Sequence, residues 1–173
     1  VIDLLVKNNI IPEFVREEPA ITELFVPAHR KHAAVEEAKT LPALSISSVE
    51  LQWLQVIAEG WAQPLKGFMR EFEYLQVLHF NCLLNENETR DNMSVPIVLS
   101  ATETDKKRLE GYSSIALYHN SEPIAILRKP EFYYQRKEER CSRQFGTCNP
   151  NHPYIKVSNC NLWTVVVKQS YLF

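Results

Sequence analysis

Glycine, cysteine and net charge are all scarce in this chain of 173 residues. Its four glycines stand apart from one another, so no glycine-rich phosphate or dinucleotide loop can form. Four cysteines are too few for a disulfide scaffold and, without a secretion signal, are expected to be thiols. A net charge of −2 gives no basic field for nucleic acid. No apolar run approaches the ~18 residues of a membrane span, so neither nucleic acid nor a membrane is an expected partner.

What is present describes a globular domain. Hydrophobic residues make up 45% of the chain and aromatic residues 10%, which is too apolar for a disordered segment. A chain of this length can bury roughly 70% of its unfolded surface. Val1 in place of an initiator methionine, and the apolar residues 171–173 at the other end, are interpreted as cuts through a longer chain. We expect a cytoplasmic location, with the nucleus as an alternative.

The clearest predicted element is a helix that starts at Ser47 and stops at Gly60. Ser47 and Glu50 have the capping-box spacing, in which each side chain accepts from the other residue's backbone N–H. The predicted apolar stripe of this helix consists of Val49, Trp53, Val56 and Ile57. Four large side chains are predicted to lie in or beside the core, namely Trp53, Trp61, Phe68 and Leu78.

Short helices and strands alternate along the rest of the chain. Further helices are predicted over residues 1–11, 31–39, 70–83, 103–111 and 130–139. Strands are predicted over residues 44–46, 95–99, 115–118, 123–127 and 162–167, with a four-residue hairpin loop at 119–122 and a polar loop at 85–92. The fold class is therefore α+β, with short helices around a mostly antiparallel, barrel-like sheet.

Two clusters could support chemistry, and each has a simpler interpretation. A Cys₃His zinc set could be drawn from Cys141, Cys148, His152 and Cys160, but only the interval from Cys148 to His152 fits zinc-ligand spacing. Packed or exposed thiols are therefore favoured. Weak candidates for anion binding are Arg136, Lys137, Arg140, Arg143 and His152, because arginine offers a planar donor fork. Glu139 stands three residues after Arg136, so a self-paired, solvated helix face is favoured instead.

The loop of residues 60–70, here called the signature loop, has two glycines, a proline, a tryptophan and a phenylalanine between two predicted helices. Its sequence resembles the Pro-Leu-x-Gly-Phe-Met motif of ATP sulfurylase (sulfate adenylyltransferase). The positions concerned are Pro64, Leu65, Gly67, Phe68, Met69 and Arg70, weakly expected to be structural or to contact another domain. Further matches to that family occur at residues 41–44, 51–53, 94–99, 125–128, 136–141, 146–147 and 152–156.

The resemblance extends over residues 20–156 and is nearest to the animal bifunctional 3′-phosphoadenosine-5′-phosphosulfate (PAPS) synthases. It implies a PUA-like fold for residues 20–156, the amino-terminal domain of the sulfurylase. Residues 1–19 would be the end of a preceding adenylylsulfate kinase domain and a linker. Residues 157–173, where the likeness fades, would be a divergent or truncated tail.

The same resemblance implies a parent enzyme in which sulfate attacks the α-phosphorus of MgATP to give adenylylsulfate, which the kinase half then phosphorylates. The family binds nucleotide and sulfate in a later domain, so no catalytic, cofactor or metal residue is assigned here. The chain is expected to be an inactive scaffold, with the missing catalytic and kinase domains as partners and MgATP as cofactor in a homodimeric parent. The alternative is an independent PUA-type module that binds RNA or protein, although the charge of −2 argues against RNA.

Overall fold

The computed structural model describes residues 21, 23–84, 90–153 and 155 and the backbone of residues 163–172. In these residues the helices are α1 (Ala28–Thr40), α2 (Ser48–Ala58), α3 (Glu71–Phe80), α4 (Glu103–Leu109) and α5 (Lys137–Phe145). The strands are β1 (Ala43–Ser45), β2 (Cys82–Leu84), β3 (Arg90–Asn92), β4 (Leu99–Ala101), β5 (Ser114–His119), β6 (Glu122–Tyr134) and β7 (Trp163–Leu172). The architecture is α+β, as predicted, while the helix predicted over residues 1–11 lies outside the described residues.

The main sheet has five strands in the order β1-β5-β6-β7-β4. β1 pairs with β5 in parallel, and the other neighbours are antiparallel. The strands β2 and β3 form a separate antiparallel pair. The edge strands β1 and β4 have only three residues each. Among the described strands the sheet is therefore open and mixed, and the predicted barrel-like closure is not found.

The long hairpin of β5 and β6 differs from the prediction in two ways. His119 pairs with Glu122, so the turn contains only Asn120 and Ser121, both with positive φ. This left-handed turn matches the twist of paired strands. β6 then continues to Tyr134, through the Pro130 that was predicted to start a helix. Pairing with β7 over most of its length keeps β6 extended, so the helix begins only at Lys137.

Two other boundaries are set by the backbone. α3 ends at Phe80 because Asn81 adopts a left-handed conformation with φ 54°. Cys82 and Leu83, predicted as the end of this helix, therefore belong with Leu84 to β2. β7 runs to Leu172, five residues beyond the predicted strand end, and lies between β6 and β4.

The capping box at the start of α2 is confirmed. The N–H of Glu50 donates to Ser47 Oγ at 3.3 Å, and the N–H of Ser47 donates to the Glu50 carboxylate at 2.8 Å. The other carboxylate oxygen of Glu50 accepts from the N–H of Ser100 at 3.2 Å, which ties the helix to β4. The buried side of α2 is rotated from the predicted stripe, because Val49 is exposed and the buried residues are Leu54, Ile57 and Ala58.

Three of the four large side chains predicted for the core lie in it or beside it. Phe68 and Leu78 are buried, and Trp53 is partly buried against the same cluster. The prediction is wrong for Trp61, which is 80% exposed. The small Ala62 beside it is 4% exposed and takes the inward position at this point in the loop.

Candidate functional site

The signature loop leaves α2 through a tight backbone turn. Gly60 has φ 80°, a conformation that glycine adopts without steric cost. The N–H of Trp61 donates back to the carbonyl of Val56 at 3.1 Å, and the N–H of Leu65 donates to the carbonyl of Ala62 at 2.9 Å. The peptide between Gln63 and Pro64 is cis. Backbone hydrogen bonds within the loop and to α2 thus define its shape.

The second half of the signature loop is anchored in the core. Leu65, Phe68 and Met69 are at most 5% exposed. The N–H of Met69 donates to the carbonyl of Ile97 at 2.9 Å, and the N–H of Ile97 donates to the Met69 sulfur at 3.3 Å. The hydroxyl of Tyr133 donates to the Met69 carbonyl at 3.3 Å. Much of the motif therefore fixes a loop against the residues before β4 and against β6.

Arg70 connects the loop to α3. Its backbone N–H donates to the Glu73 carboxylate at 2.7 Å, and its guanidinium donates to the other oxygen of that group at 3.0 Å. The guanidinium also lies 4.5 Å from the ring centroid of Phe72, a cation–π distance. These contacts stabilise the first turn of α3, which is a structural role for the last residue of the signature loop.

The predicted anion-binding arginines belong to the region of α5. Arg136 lies 3.7 Å from the Glu139 carboxylate, whose other oxygen lies 3.0 Å from Nε2 of His79 on α3. Arg140 donates from Nε to Gln144 at 3.1 Å, and burial lowers the pKa of its guanidinium. Lys137 is partly buried and Arg143 is exposed. These contacts favour the self-paired interpretation of the helix, and anion binding stays a prediction.

The thiols and His152 lie around the same helix. Cys141 is buried, and exposed Cys148 donates from its sulfur to the Glu138 carbonyl at 3.5 Å. The His152 ring stacks at 5.2 Å on Phe145, and its buried Nδ1 has no hydrogen-bond partner. Cys160 lies outside the described residues. Within the residues that are described, no three His, Cys, Asp or Glu side chains are placed to hold a metal ion.

A pair of buried tyrosines lies between the signature loop and α5. The ring centroids of Tyr74 and Tyr133 are 5.7 Å apart. Tyr133 donates to the loop, whereas the hydroxyl of Tyr74 is buried without a hydrogen-bond partner. Burial raises the pKa of Tyr74 to about 12, and nearby Arg140 opposes that shift. Tyr74 therefore stays protonated at neutral pH.

Two features escaped the sequence analysis. Arg128 of β6 donates from both Nη atoms to the Glu37 carboxylate at 2.6 and 2.8 Å, fastening α1 to the sheet. That hydrogen bonding lowers the pKa of Glu37. The chain also contains a His-x-x-His spacing. It joins His29 and His32, which are both exposed on α1.

Comparison with known proteins shows the family to which this chain belongs. Residues 16–166 match the family model described as a PUA-like domain, so the chain belongs to the PUA-like domain family. It is 43% identical over 137 residues to ATP sulfurylase 2 of Arabidopsis thaliana, covering 79% of this chain and 29% of that protein. It is 33% identical to a sulfate adenylyltransferase of Staphylothermus marinus, covering 75% of this chain and 33% of the relative. The chain is thus related to the amino-terminal portion of sulfate adenylyltransferases and spans about a third of their length.

A solved structure shares the fold. The chain aligns with a hexameric APS kinase from Thiobacillus denitrificans with a TM-score of 0.62 and 16% identity, covering 88% of this chain and 25% of that one. The relatives described above are plant and microbial sulfurylases, so the predicted nearest resemblance to animal bifunctional synthases is not supported. None of the described helices has the length and apolar character needed to cross a membrane.

Proposed function

We propose that this chain is the amino-terminal scaffold domain of a sulfate adenylyltransferase, and that the complete enzyme makes adenylylsulfate and pyrophosphate from MgATP and sulfate. The domain itself supplies no reacting group. Its role is to support the catalytic remainder of the polypeptide. The observation that carries the proposal is the relation over 137 residues to less than a third of a plant ATP sulfurylase.

The geometry of the domain supports a scaffold role. The family-like residues Leu65, Phe68 and Met69 are buried and shape a loop, rather than facing solvent where a substrate could reach them. Arg70 is engaged with Glu73 and Phe72. Catalysis of nucleotidyl transfer depends on convergent cationic groups and Mg²⁺, and the cations near α5 are accompanied by Glu139. The loop therefore acts as structure or as a contact between domains.

A chimera tests the proposal. In the chimera, the 137 aligned residues of this chain replace the matching part of Arabidopsis thaliana ATP sulfurylase 2. Pyrophosphate release from MgATP is then measured with and without sulfate. We expect sulfate-dependent release from the chimera and none from the 173-residue chain alone. A folded, soluble chimera without activity, or sulfate-dependent turnover by the purified chain alone, would contradict the scaffold role.

The alternative RNA-binding module makes a different prediction. It requires a mobility shift of RNA by the isolated chain that weakens as salt is raised, since phosphate contacts release counterions. The kinase half of a bifunctional parent rests on residues 1–19, which lie outside the described residues, and it stays a prediction. Sequencing the transcript upstream and downstream of the segment that encodes these 173 residues tests whether a kinase domain belongs to the same polypeptide.

A further inference from the structure

Trp61 is the most exposed large apolar side chain among the described residues, at 80%. Single apolar residues on a surface are common and do not by themselves indicate an interface. Trp61 differs from most exposed apolar side chains because the loop that carries it is anchored. Ala62 next to it is 4% exposed and Leu65 is 5% exposed, so the loop packs inward while the indole faces out.

Hydrogen bonds hold the backbone from which the indole projects. The N–H of Trp61 is bonded to the carbonyl of Val56 at 3.1 Å, and Gln63 N–H is within 3.4 Å of the Gly60 carbonyl. An aromatic side chain on a fixed backbone loses little conformational freedom on binding. Tryptophan is also among the residues that contribute most to the energy of protein interfaces. An anchored, exposed tryptophan is therefore suited to insert into an apolar pocket of a partner.

We infer that the Trp61 side of the signature loop is the surface on which the catalytic remainder of the sulfate adenylyltransferase docks. This inference rests on the proposed function. The occupant is that remainder, because this chain matches only about a third of the aligned sulfurylases and the other two thirds belong to the same polypeptide in those relatives. The partner surface is an apolar pocket that accepts the indole ring, beside the exposed Pro64.

Footprinting with hydroxyl radicals, read out by mass spectrometry, measures the exposure of Trp61 directly. The 173-residue chain is compared with the chimera in which it replaces part of ATP sulfurylase 2. We expect oxidation of Trp61 to fall several-fold in the chimera. Phe80, which is 72% exposed at the end of α3, serves as the matched control and should be oxidised equally in both proteins.

Substitution gives an independent readout. Trp61→Ala should leave the unfolding temperature of the 173-residue chain unchanged and lower that of the chimera, together with its activity. Phe80→Ala should change neither protein. An active chimera in which Trp61 is oxidised as fast as in the isolated chain would overturn the docking surface but leave the scaffold role intact. An inactive, folded chimera would overturn both.

A second copy of the chain is the competing occupant. If two copies met through Trp61, oxidation of this residue in the isolated chain would decrease as the protein concentration is raised. We expect no such dependence. Concentration-dependent protection of Trp61, accompanied by dimer formation in analytical ultracentrifugation, would assign the loop to self-association and overturn the docking proposal.

Discussion

The signature loop and α5 are the two regions that stand out in the sequence, and they are held by different forces. The loop is anchored by burial of Phe68 and Met69 and by backbone hydrogen bonds. The region of α5 buries Cys141, and its charged side chains contact one another and His79. Burial of a ring contributes several times more than a partly exposed ion pair. A motif of glycine, proline and apolar residues thus indicated a fixed shape, whereas the run of charges makes partly exposed contacts between side chains.

The largest effect is expected from breaking the apolar anchor. Phe68 is 1% exposed, so Phe68→Ala removes a buried ring and should lower the free energy of unfolding by about 3–5 kcal/mol. Phe72→Ala is the matched control in the first turn of α3, where the ring is half exposed beneath Arg70, and should cost no more than about 1 kcal/mol. Urea denaturation measures the free energy of unfolding of both variants. Equal decreases for Phe68→Ala and Phe72→Ala would show that the loop is not anchored by burial.

The next effect concerns the hydroxyl that joins β6 to the loop. Tyr133→Phe keeps the ring but removes the donor to the Met69 carbonyl, which should cost about 1–2 kcal/mol because a buried acceptor loses a partner. The same denaturation experiment measures the change. No measurable loss would mean that the Met69 carbonyl is satisfied without Tyr133.

Tyr74→Phe should behave in the opposite way, although the two rings are neighbours. The Tyr74 hydroxyl is buried without a partner, so its removal should leave stability at pH 7 unchanged or raise it by up to about 1 kcal/mol. The pKa of Tyr74 is raised to about 12 from its ordinary value of 10.0, so the unfolded chain releases this proton first as pH rises. The native protein should therefore lose stability between about pH 10 and 12, and Tyr74→Phe should reduce that loss. A steeper alkaline loss in the variant would contradict this assignment.

Local sequence signals predicted the starts of α2 and α4 best. The capping box of Ser47 and Glu50 fixes the start of α2, since both hydrogen bonds are made within four residues. The strand β6 could not be predicted to its full length, because its extension past Pro130 depends on pairing with β7 more than thirty residues later. The open form of the sheet could not be predicted for the same reason, since the lengths of the edge strands β1 and β4 are set by partners distant in the sequence.

The candidate site was predictable in its position but not in its exposure. The glycines and the proline located the loop, because those residues shape turns. Which aromatic residue points inward depends on the geometry of the turn, so Trp61 was predicted with Phe68 to lie in or beside the core but is 80% exposed. The clamp between Arg128 and Glu37 joins residues 91 positions apart, so no local pattern contains it.

The smallest effect is expected from breaking the charge contacts of α5. Glu139 joins His79 at 3.0 Å and Arg136 at 3.7 Å, and both Glu139 and His79 keep about 30% of their side-chain surface exposed. Glu139→Gln should therefore lower the free energy of unfolding by less than about 1 kcal/mol, and by less still in high salt. Glu138→Gln, exposed on the same helix, is the matched control. A double-mutant cycle with His79→Gln isolates the coupling between α3 and α5. A coupling above about 2 kcal/mol would mean that α5 is held by charge as strongly as the loop is held by burial, and the contrast between the two regions would be lost.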